Sequence, residues 1–94
     1  MEFRTDEATG RFEAWDDGTL VGWVAYRTAG GAVELTHTEV PPAYAGRGIA
    51  GAVAAYALGY IAERHLKVIP ACSYIQGYLT KHPELQGLVQ AGPR

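Results

Sequence analysis

The stretch Ala45-Gly46-Arg47-Gly48-Ile49-Ala50-Gly51-Ala52-Val53, continued by Ala54-Ala55-Tyr56-Ala57-Leu58-Gly59-Tyr60-Ile61, decides how this chain folds. Ile49, Val53, Ala57 and Ile61 recur every fourth residue, and Ala54 and Leu58 widen the stripe. That spacing predicts an amphipathic helix over residues 48–65. The alanines favour it, while Gly51 and Gly59 each cost about 1 kcal/mol relative to alanine. Residues this small suit a helix lying close on a sheet. Arg64 and His65 complement its negative end. The glycines ahead of it permit a tight turn and leave the first N–H groups of the helix free to meet an anion.

Working outward, Pro41-Pro42 ends the element before the turn, since neither residue can donate to a strand ladder. Residues 32–40 alternate as a strand, with Val33, Leu35, His37 and Glu39 on one face and Glu34, Thr36, Thr38 and Val40 on the other. Residues 11–16 and 20–27 read as two further strands joined at Asp17-Gly18, a pair suited to positive φ. Phe12 and Ala14 share one side of the first of these, Glu13 and Trp15 the other. Gly30-Gly31 marks the next turn. After the helix, residues 66–70 form a short apolar strand, which makes a strand–helix–strand crossover. Ser73 with Gln76 has capping-box spacing, predicting Ser73 as N-cap of a second helix over residues 74–81, stopped before Pro83. Residues 84–89 suit one more helical turn. The expected architecture is a single α+β domain over residues 1–94. It has a mostly antiparallel sheet, one central helix and a short second helix. Residues 1–10 are expected to be loosely ordered.

The chain has 94 residues, a formal net charge of −2 and one cysteine. This length suits one domain, and a single thiol cannot build an internal disulfide framework. No run of 18 apolar residues exists, so no membrane-spanning helix is expected. The charged N-terminus lacks an apolar signal core, which makes the cytosol the default compartment. No basic stripe is present to neutralise phosphates, so nucleic-acid binding is not expected. Leu, Ile, Val and Phe make up only about a fifth of the chain, a thin supply of core volume. Tyrosine, tryptophan and close backbone packing must supply the rest.

Gly46-Arg47-Gly48-Ile49-Ala50-Gly51 matches the dinucleotide fingerprint G-x-G-x-x-G in spacing. Its context does not fit. The next strand ends Ile69-Pro70-Ala71 without a ribose-binding acid, and the chain is too short for a second mononucleotide half. No Gly-Lys-Ser/Thr follows, which excludes a P-loop. The glycines still suit a pyrophosphate at a helix start, or a tight turn that binds nothing.

Cys72 stands between a strand end and a helix start, where a thiol pKa falls toward thiolate; the alternative is a buried, inert thiol. His37 is either a satisfied core histidine or a general base. Glu39, facing the same way, is either its orienting partner, a base acting through water, or a solvated carboxylate. Tyr56 and Tyr60 read as core filling, and Tyr74 and Tyr78 share a helix face at i, i+4 spacing. His37, His65 and His82 are dispersed, so no metal site is expected.

Four blocks in order resemble one family: His37-Thr38-Glu39-Val40-Pro41-Pro42, Gly46-Arg47-Gly48-Ile49-Ala50, Leu66-Lys67-Val68-Ile69-Pro70-Ala71-Cys72-Ser73-Tyr74, and Lys81-His82-Pro83-Glu84. Together with Arg11-Phe12-Glu13, Asp17-Gly18 and Tyr26-Arg27, the chain is similar to the compact, YjdJ-type branch of the GNAT acetyltransferases over residues 11–89. The resemblance implies acetyl-CoA as co-substrate, without a metal, and transfer of its acetyl group to an amine. The acceptor would be a small amine, a polyamine or a protein lysine. The resemblance places the CoA pyrophosphate on the backbone of Gly46, Arg47, Gly48, Ile49, Ala50 and Gly51, and the pantetheine arm along Val40. It gives catalytic roles to Cys72 and His37, and lets Tyr74 or Tyr78 protonate the departing CoA thiolate. Lys81 and His82 would meet CoA phosphates or solvent. One departure stands out: the family turn usually opens with Arg or Gln where this chain has Ala45, which leaves Arg47 as the nearby positive charge. Transfer may be written as direct attack or as a relay through acetyl-Cys72. The rival classes are a CoA-binding module without turnover and a protein-interaction domain.

Overall fold

A computed structural model describes residues 1–90 of the chain. It contains five strands, β1 (Glu2–Asp6), β2 (Arg11–Asp16), β3 (Thr19–Ala29), β4 (Ala32–Glu39) and β5 (Lys67–Pro70), and two helices, α1 (Ile49–Glu63) and α2 (Ser73–Lys81). Short 3₁₀ turns occupy Pro42–Tyr44 and Pro83–Leu88. The strands form one sheet in the order β1-β2-β3-β4-β5. Every neighbour is antiparallel except β4 and β5, which are parallel and connected across α1. The family of elements is the α+β set expected from the sequence.

The hairpins follow from local chemistry. Asp16 pairs with Thr19 across Asp17 and Gly18, whose φ values are +50° and +78°. Ala29 pairs with Ala32 across Gly30 and Gly31, at +49° and +81°. Two positive φ angles in a two-residue loop match the right-handed twist of the flanking strands, and glycine adopts them without strain. The N-terminus corrects an expectation: residues 1–10 are not loose. Glu2–Asp6 pairs along β2, and the Asp6 carboxylate accepts from the N–H groups of Ala8 (3.1 Å) and Thr9 (3.3 Å) to close the turn.

The α1 stripe is buried as its spacing requires: Ile49, Val53, Ala54, Ala57, Leu58 and Ile61. They pack on Phe12, Ala14, Val24, Val33 and Leu35 from the sheet, and Ile75 and Leu79 of α2 join the same core. Aromatic rings supply the volume that aliphatics do not. Phe12 lies edge-on to Tyr26 (4.5 Å between centroids), Tyr60 (5.2 Å) and Tyr56 (6.1 Å). Gly22 shows how closely helix and sheet approach. A Cβ there would stand 2.8 Å from Ile49 Cγ2 and 3.2 Å from Val40 Cγ2. Gly22→Ala is therefore expected to destabilise the fold by about 1–3 kcal/mol through overpacking. A urea titration with an unchanged midpoint would contradict this packing.

The opposite sheet face carries no helix among the described residues. Glu13 lies on that face, as its alternation with Phe12 requires, yet it is only 3% exposed. Trp15 Nε1 donates to its Oε1 at 2.9 Å, and Arg11 Nη2 lies 2.8 Å from its Oε2. The carboxylate is closed off by its own partners, and the Arg11 guanidinium in turn lies over the Trp23 ring at 5.2 Å.

Candidate active site

β5 ends before β4 does. The last β4–β5 pair is Leu35 with Pro70, and the Ala71 N–H donates to Leu35 O at 3.1 Å. Residues 36–39 of β4 continue without a β5 partner, and the sheet splits there. Cys72 closes the base of the split, with its Sγ 3.4 Å from Thr38 Oγ1. Cys72, not Ser73, is the N-cap of α2, which corrects the capping-box reading. Ser73 already has a helical place, and Gln76 reaches Pro70 O (Nε2 donating at 2.9 Å) rather than back to the cap. The β-to-helix transition falls one residue earlier because Pro70 ends the strand and Gln76 N–H pairs with Cys72 O at 3.0 Å.

The thiol of Cys72 is 8% exposed. Burial by itself raises its pKa, but the Thr38 hydroxyl lowers it, and so do the N–H dipoles of Ile75, Tyr74 and Thr38. The balance lies below the ordinary thiol value. A helix start with donors near sulfur favours thiolate, whereas burial favours the neutral thiol. A folded-state pKa below the unfolded one means that ionisation stabilises the fold. That increment is present above the unfolded thiol pKa and lost as pH falls through the folded value. Thr38 was not singled out from the sequence, where it read only as a strand residue. Thr38→Val is expected to move the pH midpoint of Cys72 alkylation by iodoacetamide upward, whereas Thr38→Ser retains it. Identical midpoints in wild type and Thr38→Val would remove Thr38 from this role.

His37 is not where simple alternation puts it. Between Ala25–His37 and Tyr26–Leu35 the register slips, so two steps on β4 oppose one on β3. Thr36 is the extra residue of this β-bulge, and its hydroxyl donates to Ala25 O at 3.3 Å. A bulge exchanges the two faces of the strand beyond it. Val33 and Leu35 stay in the core with α1, Thr38 joins them on that side, and His37 and Glu39 turn to the helix-free face. His37 is thus no core histidine: its side chain is 61% exposed. Its Nε2 lies 2.9 Å from Glu39 Oε1, so the carboxylate orients the ring. Cys72 with Thr38, and His37 with Glu39, therefore stand on opposite faces of the same unpaired strand end.

The glycine turn lies at the head of α1. Gly46 and Gly48 hold φ values of +80° and +75°, which only glycine adopts readily, and Gly48 is the N-cap. No side chain caps this helix and no acidic residue stands in its first turn. A Cβ at Gly46 or Gly48 would meet nothing within 4 Å. The first N–H groups of α1 are thus without a side-chain cap. Arg47 is exposed, with its guanidinium over the Tyr44 ring at 5.5 Å. Val40, at the end of the unpaired strand, packs on the core beside Gly22. Tyr74 comes nearest to this turn, because a Cβ at Gly51 would lie 3.5 Å from its hydroxyl. Tyr78 lies beside it, 6.4 Å from the Tyr74 ring and stacked on His82 at 4.2 Å. His82 Nδ1 lies 3.2 Å from Glu84 Oε2, so His82 is engaged away from the turn. Among the described residues no cluster of three His, Cys, Asp or Glu side chains is placed to hold a metal ion. Among the described residues no helix is long and apolar enough to cross a membrane.

The chain is similar to known proteins in sequence and in fold. The GCN5-related N-acetyl-transferase family profile matches residues 11–88. Protein NATD1 of Mus musculus and that of Homo sapiens are each 48% identical over 61 residues, 65% of this chain. Those matches cover 56% and 54% of the two relatives, so the chain aligns with about half the length of the curated proteins it matches. In three dimensions the chain is similar to the solution structure of a GCN5-like protein from Staphylococcus aureus. The TM-score is 0.72 at 21% identity, covering 99% of this chain and 91% of that one. With the profile matching most of its length and the fold shared end to end, the chain belongs to the GCN5-related N-acetyltransferase family.

Proposed function

We propose that the chain transfers an acetyl group from acetyl-CoA to an amine by way of Cys72. The observation that carries this reading is the thiol at the base of the β4–β5 split, touched by the Thr38 hydroxyl and faced by the N–H dipoles that begin α2. A lowered pKa raises the share of Cys72 present as thiolate, the nucleophilic form, and the relay is the reading that uses it. The residues present fit the co-substrate. Uncapped N–H groups at Ile49, Ala50 and Gly51, with the glycine turn 46–48 and Arg47, suit the pyrophosphate, and the unpaired strand end at Val40 suits the pantetheine arm.

The Cys72 thiolate attacks the acetyl carbonyl and forms an S-acetyl bond, while the CoA thiolate leaves with the electron pair of the broken thioester. The amine then attacks the acetyl carbonyl of Cys72. His37, held by Glu39 on the other side of the split, takes the ammonium proton, and the Cys72 thiolate departs. The two faces of the strand end thus divide the work: thiol on the core side, base on the open side. The N–H groups near Sγ are also placed to stabilise negative charge developing on the carbonyl oxygen.

The test of the co-substrate site is thermal unfolding with and without acetyl-CoA. A saturable rise in Tm is expected for wild type, and a weaker one for Arg47→Glu, which sets a negative charge against phosphate. No shift at millimolar acetyl-CoA would reject this reading. Binding without release of free CoA in the presence of amines would leave a non-catalytic CoA-binding module instead.

A further inference from the structure

A second opening lies at the other end of the sheet. It is a cleft of about 610 Å³ between the β1–β2 turn, the far end of β3 and the C-terminal part of α1. Phe12 and Val33 form its buried floor, and Tyr26, Tyr60 and Leu66 its walls. Val33 and Thr38 oppose Thr28 and Val24, four residues apart on β3, which at about 3.3 Å per residue separates this cleft from the Cys72 thiol by roughly 13 Å. It belongs to neither half of the site described above.

Its chemistry is electron-rich on one wall. The rings of Tyr26 and Tyr60 line it, both only partly buried and set at 85° and 66° to the Phe12 ring. No hydrogen bond to either hydroxyl is found among the described residues. Glu7, on the rim, likewise makes no ion pair, and Asp6 stands behind it with its carboxylate held in the turn. The Tyr26 phenol senses this environment: burial first, then Tyr60, Glu7 and Asp6, push its pKa up, with no cation acting in the other direction. The cations at the rim are otherwise engaged. Arg27 Nε is paired with Glu34 at 2.7 Å, and the Arg64 guanidinium lies flat on the Tyr60 ring, 3.5 Å from its centroid. Arg64 shows what this wall attracts, because it is a cation of the chain itself resting on one of the aromatic faces.

We propose that this cleft is a binding site for a small organic ammonium ion, with an apolar body against Leu66 and the tyrosine rings, its charge between Tyr26 and Glu7, and Arg64 as the chain's own competitor at Tyr60. The volume lies within the range of small-molecule sites. An ammonium held at an aromatic face beside a carboxylate gains both cation–π and ionic attraction.

The probe is phenethylammonium, with 3-phenylpropionate as its anionic counterpart, titrated into the intact chain and followed by amide and aromatic NMR shifts. The expected result is saturable binding of phenethylammonium, with shifts centred on Tyr26, Phe12 and the β1–β2 turn, and at least tenfold weaker binding of the anion. Glu7→Gln, an exposed turn substitution that leaves the core untouched, should weaken phenethylammonium at least fivefold, and Arg64→Gln should strengthen it. His37→Ala should leave the affinity unchanged, which separates this cleft from an acceptor amine bound beside the catalytic pair. Equal binding of the two probes would overturn the proposal. So would an unchanged affinity in Glu7→Gln, or loss of binding in His37→Ala in place of Glu7→Gln. None of these outcomes bears on whether Cys72 carries an acetyl group.

Discussion

Cys72→Ala is expected to lower kcat/KM for acetyl transfer by about 10³-fold or more, because it removes the atom on which the acetyl group rests. Cys72→Ser should be nearly as poor, since a hydroxyl in the same place is not ionised near neutral pH and gains little from the donors that favour a thiolate. The two substitutions should leave the acetyl-CoA thermal shift close to that of wild type. The proposed pyrophosphate site at residues 46–51 lies at the start of α1, a different element from the one Cys72 caps. Loss of turnover with retained binding separates a chemical role from a structural one. A rate within twofold of wild type in Cys72→Ala would exclude the relay. It would leave direct attack by an amine deprotonated at His37.

The second large effect concerns stability. Phe12→Ala is expected to cost about 3–5 kcal/mol, the usual range for emptying a buried phenylalanine site. Phe12 has no exposed surface and contacts three tyrosine rings, each from the edge. Its neighbours on α1, the rings of Tyr56 and Tyr60, are rigid, and the helix already lies close to the sheet, so the space is not readily refilled. Small domains bury a modest fraction of their surface and carry stabilities near the low end of about 5–15 kcal/mol. Phe12→Ala should therefore leave little or no cooperative urea transition at room temperature, while Phe12→Leu, which keeps most of the volume, should retain one at lower midpoint. An unshifted transition in Phe12→Ala would contradict the account of how an alanine-rich chain fills its core.

Much of this architecture is legible in the residues because each local signal has one physical solution. The four-residue stripe from Ile49 to Ile61 has a single face, and that face is the buried one. Asp17-Gly18 and Gly30-Gly31 supply the positive φ angles that two-residue hairpins need. The failures share a cause as well. Strict alternation along β4 put His37 beside Leu35, yet Thr36 adds one residue to the strand and exchanges the faces beyond it. Nothing in a Thr-His-Thr run announces a bulge, because the bulge is set by pairing with β3. The same limit hid Thr38, whose partner Cys72 is 34 residues away in sequence. Ser73 looked like the N-cap from its spacing to Gln76, but Pro70 O takes the Gln76 amide and the cap moves back to the cysteine. Residues 1–10 looked unstructured because five short residues of β1 carry little hydrophobic pattern until Phe3 finds Tyr56, with the two rings stacked at 5.3 Å.

The residues of the proposed site come from three adjoining elements, β4 with its bulge, the start of α1 and the start of α2.

The most direct test of the relay is intact-mass analysis of the chain after brief incubation with acetyl-CoA in the absence of any amine, followed by peptide mapping. The account predicts the added mass of one acetyl group, located on Cys72, discharged when an amine is supplied and absent in Cys72→Ala. An unmodified Cys72 in a preparation that nonetheless acetylates amines would contradict it.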